Sequence, residues 1–347
     1  MTDEELMQLF MQMLAIPAYS REEAVKADFI ETYLKSKEIG VYRNGNNVWT
    51  EIKGGQVKGP VLVLNSHIDT VKPNASYTFP AHEVHLKDGK IYGLGTNDAG
   101  ASLFALMHTF IDLKDEHQLN CRLCFLASSE EEISGPGGIT SVLNQLEADA
   151  FIVGEPTGMK MAKAEKGLMV VDLLSKGVAA HAAHEGGCNA IDLAFDDMKT
   201  LKEIEFPVSD VLGKVKITAT AIEAGQAHNM VPDRCQWILD IRTNECISHE
   251  AIEQILHDCL KSEVKVRSKR LRPSFTEGDH FLIQAAEASG IELIVSSTLS
   301  DQALIPLPSV KIGPGDTHRS HSADEYIEVA ELFEGINIYK KLIRSIK

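Results

Sequence analysis

The stretch that most constrains this chain is Gly93-Leu94-Gly95-Thr96-Asn97-Asp98-Ala99-Gly100, which leads into an apolar helical run through Leu103, Leu106, Met107 and Phe110. Its three glycines allow a tight bend. One carboxylate, Asp98, is thereby presented at a helix start. Taken alone, Asn-Asp before a helix is a cap. Asp98 acquires chemical meaning because four other stretches deliver ligand-type side chains in the same manner.

Each of those stretches is a short apolar run ending in polar residues. Val61-Leu62-Val63-Leu64-Asn65 comes after Gly59-Pro60 and ends in Ser66-His67-Ile68-Asp69. A continuous run of this kind suits a strand buried on both faces. Leu123–Ala127 repeats the design and ends in Glu130-Glu131-Glu132, and Ala150–Val153 ends in Gly154-Glu155-Pro156. Ser309–Ile312 ends in Gly313-Pro314-Gly315, with His318 and His321 just beyond. Ligands of open α/β sheets bind outside the carboxyl ends of the strands. The pattern therefore predicts a central, mostly parallel sheet flanked by helices, with His67, Asp98, Glu132, Glu155 and His321 along one edge.

Upstream, residues 4–14 read as a helix with Leu6, Phe10 and Leu14 on one stripe, ended by Ala15-Ile16-Pro17. Ser20-Arg21-Glu22-Glu23 reads as a capping box opening a second helix to about residue 37. Between Lys166 and Arg270 the pattern changes to strand 168–174, helix 189–203, strands 214–222 and 236–241, helix 249–261 and strand 264–266. That βαββαβ order predicts a ferredoxin-like α+β domain. It reads as an insertion, giving a first catalytic segment 1–165, an inserted domain 166–271 and a second catalytic segment 272–347.

Composition excludes several classes of partner. A formal charge of −16 opposes binding to nucleic acid or an anionic membrane. No apolar run approaches the roughly 20 residues of a membrane span. The acidic start Met1-Thr2-Asp3-Glu4-Glu5 is unlike a signal peptide, so a cytoplasmic enzyme is expected. The six cysteines are scattered, and Cys121-x-x-Cys124 has no partner pair. They are expected to be reduced thiols in strands.

Two imidazoles and three carboxylates form a donor set that zinc accepts. Five ligands crowd one zinc but serve two when a carboxylate is shared, and Asp98 is the candidate bridge. Asp69, two residues after His67, is the expected acceptor of the free imidazole N–H. On extended backbone Glu131 points away from its neighbour Glu132, which leaves it able to take a proton from the attacking water. A serine hydrolase is opposed by the lack of a Gly-x-Ser-x-Gly elbow.

His67-x-Asp69, Asp98 in its Gly-rich loop, Glu131-Glu132 ahead of Gly137, Gly154-Glu155-Pro156, and Gly313-Pro314-Gly315 with His321 and Asp324-Glu325-Tyr326 stand in one order. As a set they resemble the dinuclear zinc deacylases and carboxypeptidases that include acetylornithine deacetylase and succinyl-diaminopimelate desuccinylase, the former being the nearer likeness. The resemblance covers essentially the whole chain. It implies one zinc held by His67, Asp98 and Glu155 and a second by Asp98, Glu132 and His321, with Co²⁺ a possible substitute. It implies Glu131 as general acid/base and a cis peptide after Asp98. It also implies that the inserted domain is a lid and dimerisation domain, so that a homodimer is expected. His181, beside Ala180, would then reach the partner subunit's site and stabilise the oxyanion. Asn229, Arg242 and Gly315 would bind substrate, Asn229 and Arg242 at its α-carboxylate.

The implied activity is removal of an acetyl or succinyl group from an N-acyl amino acid, such as N-acetylornithine or N-acetylcitrulline, in arginine or lysine biosynthesis. Desuccinylation of succinyl-diaminopimelate and dipeptidase or carboxypeptidase action are the alternatives. The loop after Asp98 reads Ala99-Gly100-Ala101 where many such enzymes carry a bulky residue, Lys and paired Gly. The lid histidine also lacks their usual downstream proline. These departures leave the acyl group and the amino-acid side chain open.

Overall fold

The computed structural model describes residues 1–54 and 59–347. The chain divides into two compact units. The first is Met1–Lys163 with Phe275–Ile294 and Ser300–Lys347, and the second is Ala164–Ser274 with Val295–Leu299.

The first unit is built on a mixed sheet whose successive neighbours include Val41–Asn44, Asn47–Thr50, Arg122–Ser128, Val61–His67, Ala150–Val153 and Ser309–Lys311. The last four run parallel, while the first two form an antiparallel hairpin at the edge. Val61–His67 is buried along its whole length. Its side chains alternate between two cores: Leu62 and Leu64 face the larger one and Val63 the smaller. Leu123 and Phe125 against Cys124 and Leu126 repeat this two-residue period. Each fully buried Leu or Phe contributes roughly 1.5–3 kcal/mol through burial.

The larger core is closed by helices. Ala101–Leu113 is apolar almost all round because it packs on the Val61–His67 and Arg122–Ser128 strands and against helix Val329–Arg344. Burying this helix fixes the direction in which the preceding Gly-rich loop presents Asp98. Helix Asp3–Leu14 is N-capped by Thr2 in a reciprocal box with Glu5.

The Ser20–Glu23 capping box does not form. The second helix starts at Ala24 with no side-chain cap. Ser20 Oγ instead donates to Asp69 Oδ2 at 2.7 Å. The Glu23 carboxylate accepts from Arg21 N (2.8 Å), Asn46 Nδ2 (2.7 Å) and Glu130 N (3.1 Å). Tertiary partners near the sheet edge take the groups that a local cap would have used.

In the second unit, strands Lys216–Ala224, Arg234–Thr243, Gly167–Lys176 and Glu263–Val266 form an antiparallel sheet in that spatial order. Helices Ala190–Glu203 and His249–Cys259 pack their apolar stripes onto one face, around Met169, Val171, Trp237, Leu239 and Ile241. A two-stranded ribbon pairs Ala180–His181 with Met230–Val231.

All six cysteines are free. Only Cys124 and Cys235 lie in strands; Cys259 ends a helix, and Cys188 and Cys246 are exposed in connections. Among the described residues no helix is long and apolar enough to cross a membrane.

Candidate metal centre

The carboxyl ends of the parallel strands bring the five ligand-type side chains of the first unit together. His67 is the last residue of its strand. Glu132 lies on a single 3₁₀ turn, Glu131–Ile133, after Arg122–Ser128. Glu155 comes two positions after Ala150–Val153. Asp98 sits in the irregular turn Thr96–Gly100, and the Asp98–Ala99 peptide is cis. His321, beyond Ser309–Lys311, has φ +57°. A left-handed non-glycine residue costs of order 1–3 kcal/mol and collects at functional sites.

The distances form a chain through Asp98. His67 Nε2 is 3.3 Å from Asp98 Oδ1 and 3.8 Å from Glu155 Oε1. His321 Nε2 is 3.6 Å from Asp98 Oδ2 and 3.1 Å from Glu132 Oε2. Thus the two oxygens of Asp98 face different histidines. Two tight groups, His67–Asp98–Glu132 and His67–Glu131–Glu155, each have ligand atoms within 4.8 Å of one another. The second of these sets Glu131 beside Glu155 as well.

Glu131 and Glu132 lie together in a 3₁₀ turn, not on the extended backbone expected from the sequence. The 3₁₀ turn lets both acids face the cluster with different neighbours. It is bracketed by Glu130 and Ser134, both left-handed. Glu130 turns away, its carboxylate accepting Gly137 N at 3.2 Å. A Cβ at Gly138 would fall 2.5 Å from the main-chain carbonyl oxygen of Ser129, so the loop requires glycine at that position.

Asp69 acts differently from the role its spacing to His67 predicts. Its main-chain carbonyl, not its carboxylate, accepts the His67 Nδ1 proton at 2.8 Å, while Oδ1 lies 3.5 Å away. The carboxylate instead accepts the N–H groups of Glu131 (3.1 Å) and Glu132 (3.2 Å) and the Ser20 hydroxyl. With the carbonyl on the ring, the side chain is left for the neighbouring turn. One residue thereby orients both the histidine and the pair of acids.

Proton affinities record the crowding. Burial pushes Glu131 and Glu155 well above the usual carboxylate range, and neighbouring acids add to it. His321 is raised to about 9, chiefly by its hydrogen bond to Glu132. Burial pulls the His67 imidazole down, but Asp69 and Asp98 outweigh it and leave the ring well above its ordinary value. Burial works against Asp98 too, yet His67 holds it below the usual range. Several acids share two imidazoles here, so the pocket is short of positive charge. Hard oxygen donors with imidazole nitrogens, short of cations, suit divalent ions.

Three supporting residues have partners that the sequence does not reveal. Glu325 accepts three main-chain N–H groups of the Gly-rich loop. Asp301 Oδ2, buried under the strands, accepts Asn65 Nδ2 (2.9 Å) and Ser128 Oγ (2.6 Å). Burial raises its carboxyl to about 6. Lys26, buried on the second helix, is lowered to about 8 by burial, against the charges of Asp69 and Glu325. Only an apolar-face lysine at position 26 of an amphipathic helix could have hinted at the last.

The remaining candidates lie elsewhere on the chain. Gly315 belongs to the first unit at φ +93°, and a Cβ there would meet Asn97 Oδ1 at 2.3 Å. The other three sit on the second unit. His181 is exposed on the Ala180–His181 ribbon, its Nδ1 accepting Ala183 N at 3.1 Å. Asn229 lies next to the other strand of that ribbon, its carbonyl accepting Ala182 N at 2.9 Å. Arg242 lies near the end of a strand with its fork on Asp240: Nε to Oδ1 at 2.8 Å and Nη2 to Oδ2 at 3.0 Å. Residues two apart on a strand share a face, which is why Asp240 reaches the Nε edge of the guanidinium.

The chain is similar to known proteins over most of its length. The sequence model of peptidase family M20/M25/M40 matches residues 63–345. A peptidase M20 domain-containing protein of Schizosaccharomyces pombe is 29% identical over 360 residues, covering 98% of this chain and 84% of that protein. A probable succinyl-diaminopimelate desuccinylase of Staphylococcus aureus is 25% identical over 368 residues, covering 90% of this chain and 89% of that one. The crystal structure of aminopeptidase PepT from Bacillus cereus superposes with a TM-score of 0.81 at 20% identity, covering 99% of both chains. A dinuclear metal-binding M20 peptidase from Bacillus subtilis gives 0.76 at 16% identity, over 99% of this chain and 97% of its own. At these identities the structural likeness is one of fold.

Proposed function

The chain belongs to peptidase family M20/M25/M40 and is a hydrolase acting on amide bonds; on that premise we propose that it is a two-zinc amidohydrolase that releases an acetyl or succinyl group from an N-acyl amino acid. The observation that carries this reading is the Asp98 carboxylate, with one oxygen toward His67 and the other toward His321. His67, Asp98 and Glu155 would hold one ion, and Asp98, Glu132 and His321 the other. When bound, such a pair supplies Lewis acidity to the scissile carbonyl and acidifies the attacking water.

The side chains do the rest. Glu131 takes a proton from the attacking water on its carboxylate and returns it to the departing amide nitrogen. Asp69 fixes the Glu131 main chain, so the carboxylate starts from a set position. Gly315 leaves main chain open where a side chain would strike Asn97.

N-acetylornithine, N-acetylcitrulline and succinyl-diaminopimelate are the substrates of arginine and lysine biosynthesis that this chemistry fits. All carry a free α-carboxylate, for which Asn229 and Arg242 are the proposed partners. Because Asp240 occupies the Nε edge of Arg242, a substrate carboxylate would use the Nη1–Nη2 edge. The guanidinium has five donors and can serve both acids. A dipeptidase or carboxypeptidase would use the same constellation, and membership of a peptidase family supports that second reading.

A panel of N-acetyl and N-succinyl amino acids, dipeptides and α-methyl esters separates the readings. N-acyl amino acids should be turned over faster than dipeptides. Esterifying the carboxylate should lower kcat/KM roughly 10- to 150-fold, as expected for a charge-assisted pair worth about 1.5–3 kcal/mol. The penalty should largely vanish in Arg242→Ala. Equal penalties in both proteins would leave Arg242 as the partner of Asp240 alone, and exclusive dipeptide cleavage would replace the deacylase.

His181 is proposed to act in the other subunit of a homodimer. Mixing inactive His181→Ala chains with inactive Glu131→Ala chains should restore part of the activity, since a mixed dimer contains one intact set. No recovery after demonstrated subunit exchange would confine His181 to a surface role.

A further inference from the structure

Glu325 is a buried acid outside the ligand set, yet three main-chain N–H groups converge on its carboxylate. Gly95 donates to Oε2 at 2.9 Å, and Asn97 and Asp98 donate to Oε1 at 2.7 and 2.8 Å. The Glu325 carbonyl accepts a fourth, Gly93 N, at 3.0 Å. Gly93 and Gly95 have φ of +157° and +75°. In such a loop these donors have no helix or sheet to enter, and buried N–H groups require partners. A carboxylate is the strongest acceptor available to them.

A second arm runs the other way. Asn97 Oδ1 accepts Asp316 N at 2.9 Å, and Asn97 Nδ2 donates to Asp316 O at 3.1 Å and Ser320 Oγ at 3.4 Å. Together the two arms tie the loop bearing Asp98 to the segment 316–325 bearing His321. Across this join the ligand atoms stand 3.6 Å apart. His67 belongs to a different half, fixed through Asp69 to the Glu131–Glu132 turn.

We infer that Glu325 and Asn97 are positioning residues that pre-assemble the Asp98–His321 half of the centre, so that the ion held by Asp98, Glu132 and His321 depends on this clamp more than the ion held by His67, Asp98 and Glu155. The inference rests on the two-ion reading above. Glu325→Gln keeps the shape but turns an NH₂ toward either Gly95 N–H or the Asn97 and Asp98 pair, opposing donor to donor. Asn97→Ala removes the second arm and leaves Glu325 untouched.

The test is calorimetric titration of Co²⁺ into metal-free protein, read in parallel by visible absorption of the bound cobalt. Wild type should take two equivalents. Glu325→Gln and Asn97→Ala should bind the first within about threefold of wild type and the second 10- to 100-fold more weakly, the range for loss of a ligand-orienting partner. Far-UV circular dichroism should be unchanged. Glu325→Ala should widen the gap between the two steps; if it fails to fold, the other two variants decide the matter alone. Variants that bind both ions as wild type does, or that weaken both equally, would overturn the clamp while leaving the centre in place. A wild type that takes fewer than two ions would overturn the two-ion reading and the clamp with it.

Discussion

Glu131→Gln should keep its fold and both metal ions and lose most of its turnover. The variant preserves shape at a position whose main-chain N–H is already held by Asp69 at 3.1 Å, so the turn has no reason to move. What disappears is the ability to accept a proton. A positioned acid/base is typically worth 10²–10⁴-fold, and kcat should fall by at least that range with KM little changed. Burial raises the Glu131 carboxyl well above the ordinary range, the direction required of a group that exchanges protons near neutrality. Metal content by elemental analysis separates this from damage to the centre. Near-native turnover would transfer the proton to another group, and Glu155, which shares its cluster, would be the next candidate.

Asp98→Ala should lose both ions together. Its two oxygens face His67 at 3.3 Å and His321 at 3.6 Å, so its removal takes a ligand from both halves. Glu155→Ala or His321→Ala, by contrast, should each weaken one ion more than the other. Lewis-acid stabilisation is worth several kcal/mol, so the Asp98 variant should retain less than about a thousandth of wild-type kcat/KM. Elemental analysis after purification without chelators is the measurement. Two retained equivalents with full activity would remove Asp98 from the bridge.

The sheet and its functional edge were legible because burial on both faces leaves a plain trace. An uninterrupted Val61–Leu64 run has few alternatives to a central strand, and the residues just after such a strand lie at the carboxyl edge. The inserted βαββαβ unit was legible for a related reason: its strands alternate and its helices carry one apolar stripe.

Local capping was misread at Ser20 because a hydroxyl can bond its own helix or a distant acid equally well, and only the tertiary fold brings Asp69 within 2.7 Å. The Asp69 carbonyl reaching His67 is a main-chain event with no residue-type signature. Glu325 escaped for the opposite reason. Its residue type was visible, but its donors belong to a loop some 230 positions away. The turn at Glu131–Ile133 shows that two adjacent acids can face one centre without extended backbone.

The order of the strands bears on how the protein is made. Ser309–Lys311 pairs in parallel with Ala150–Val153 inside the catalytic sheet, although it follows that strand by roughly 150 positions and leaves the ribosome well after it. Until then the nascent catalytic unit carries an open strand edge where that neighbour belongs, the kind of surface that invites pairing with other chains. The main body of the second unit, residues 164–274, is continuous and can complete its pairing while the catalytic sheet still waits. Activity should therefore appear only after the Ser309–Lys311 strand has emerged and paired, and the interval before it is when a chaperone has most to protect.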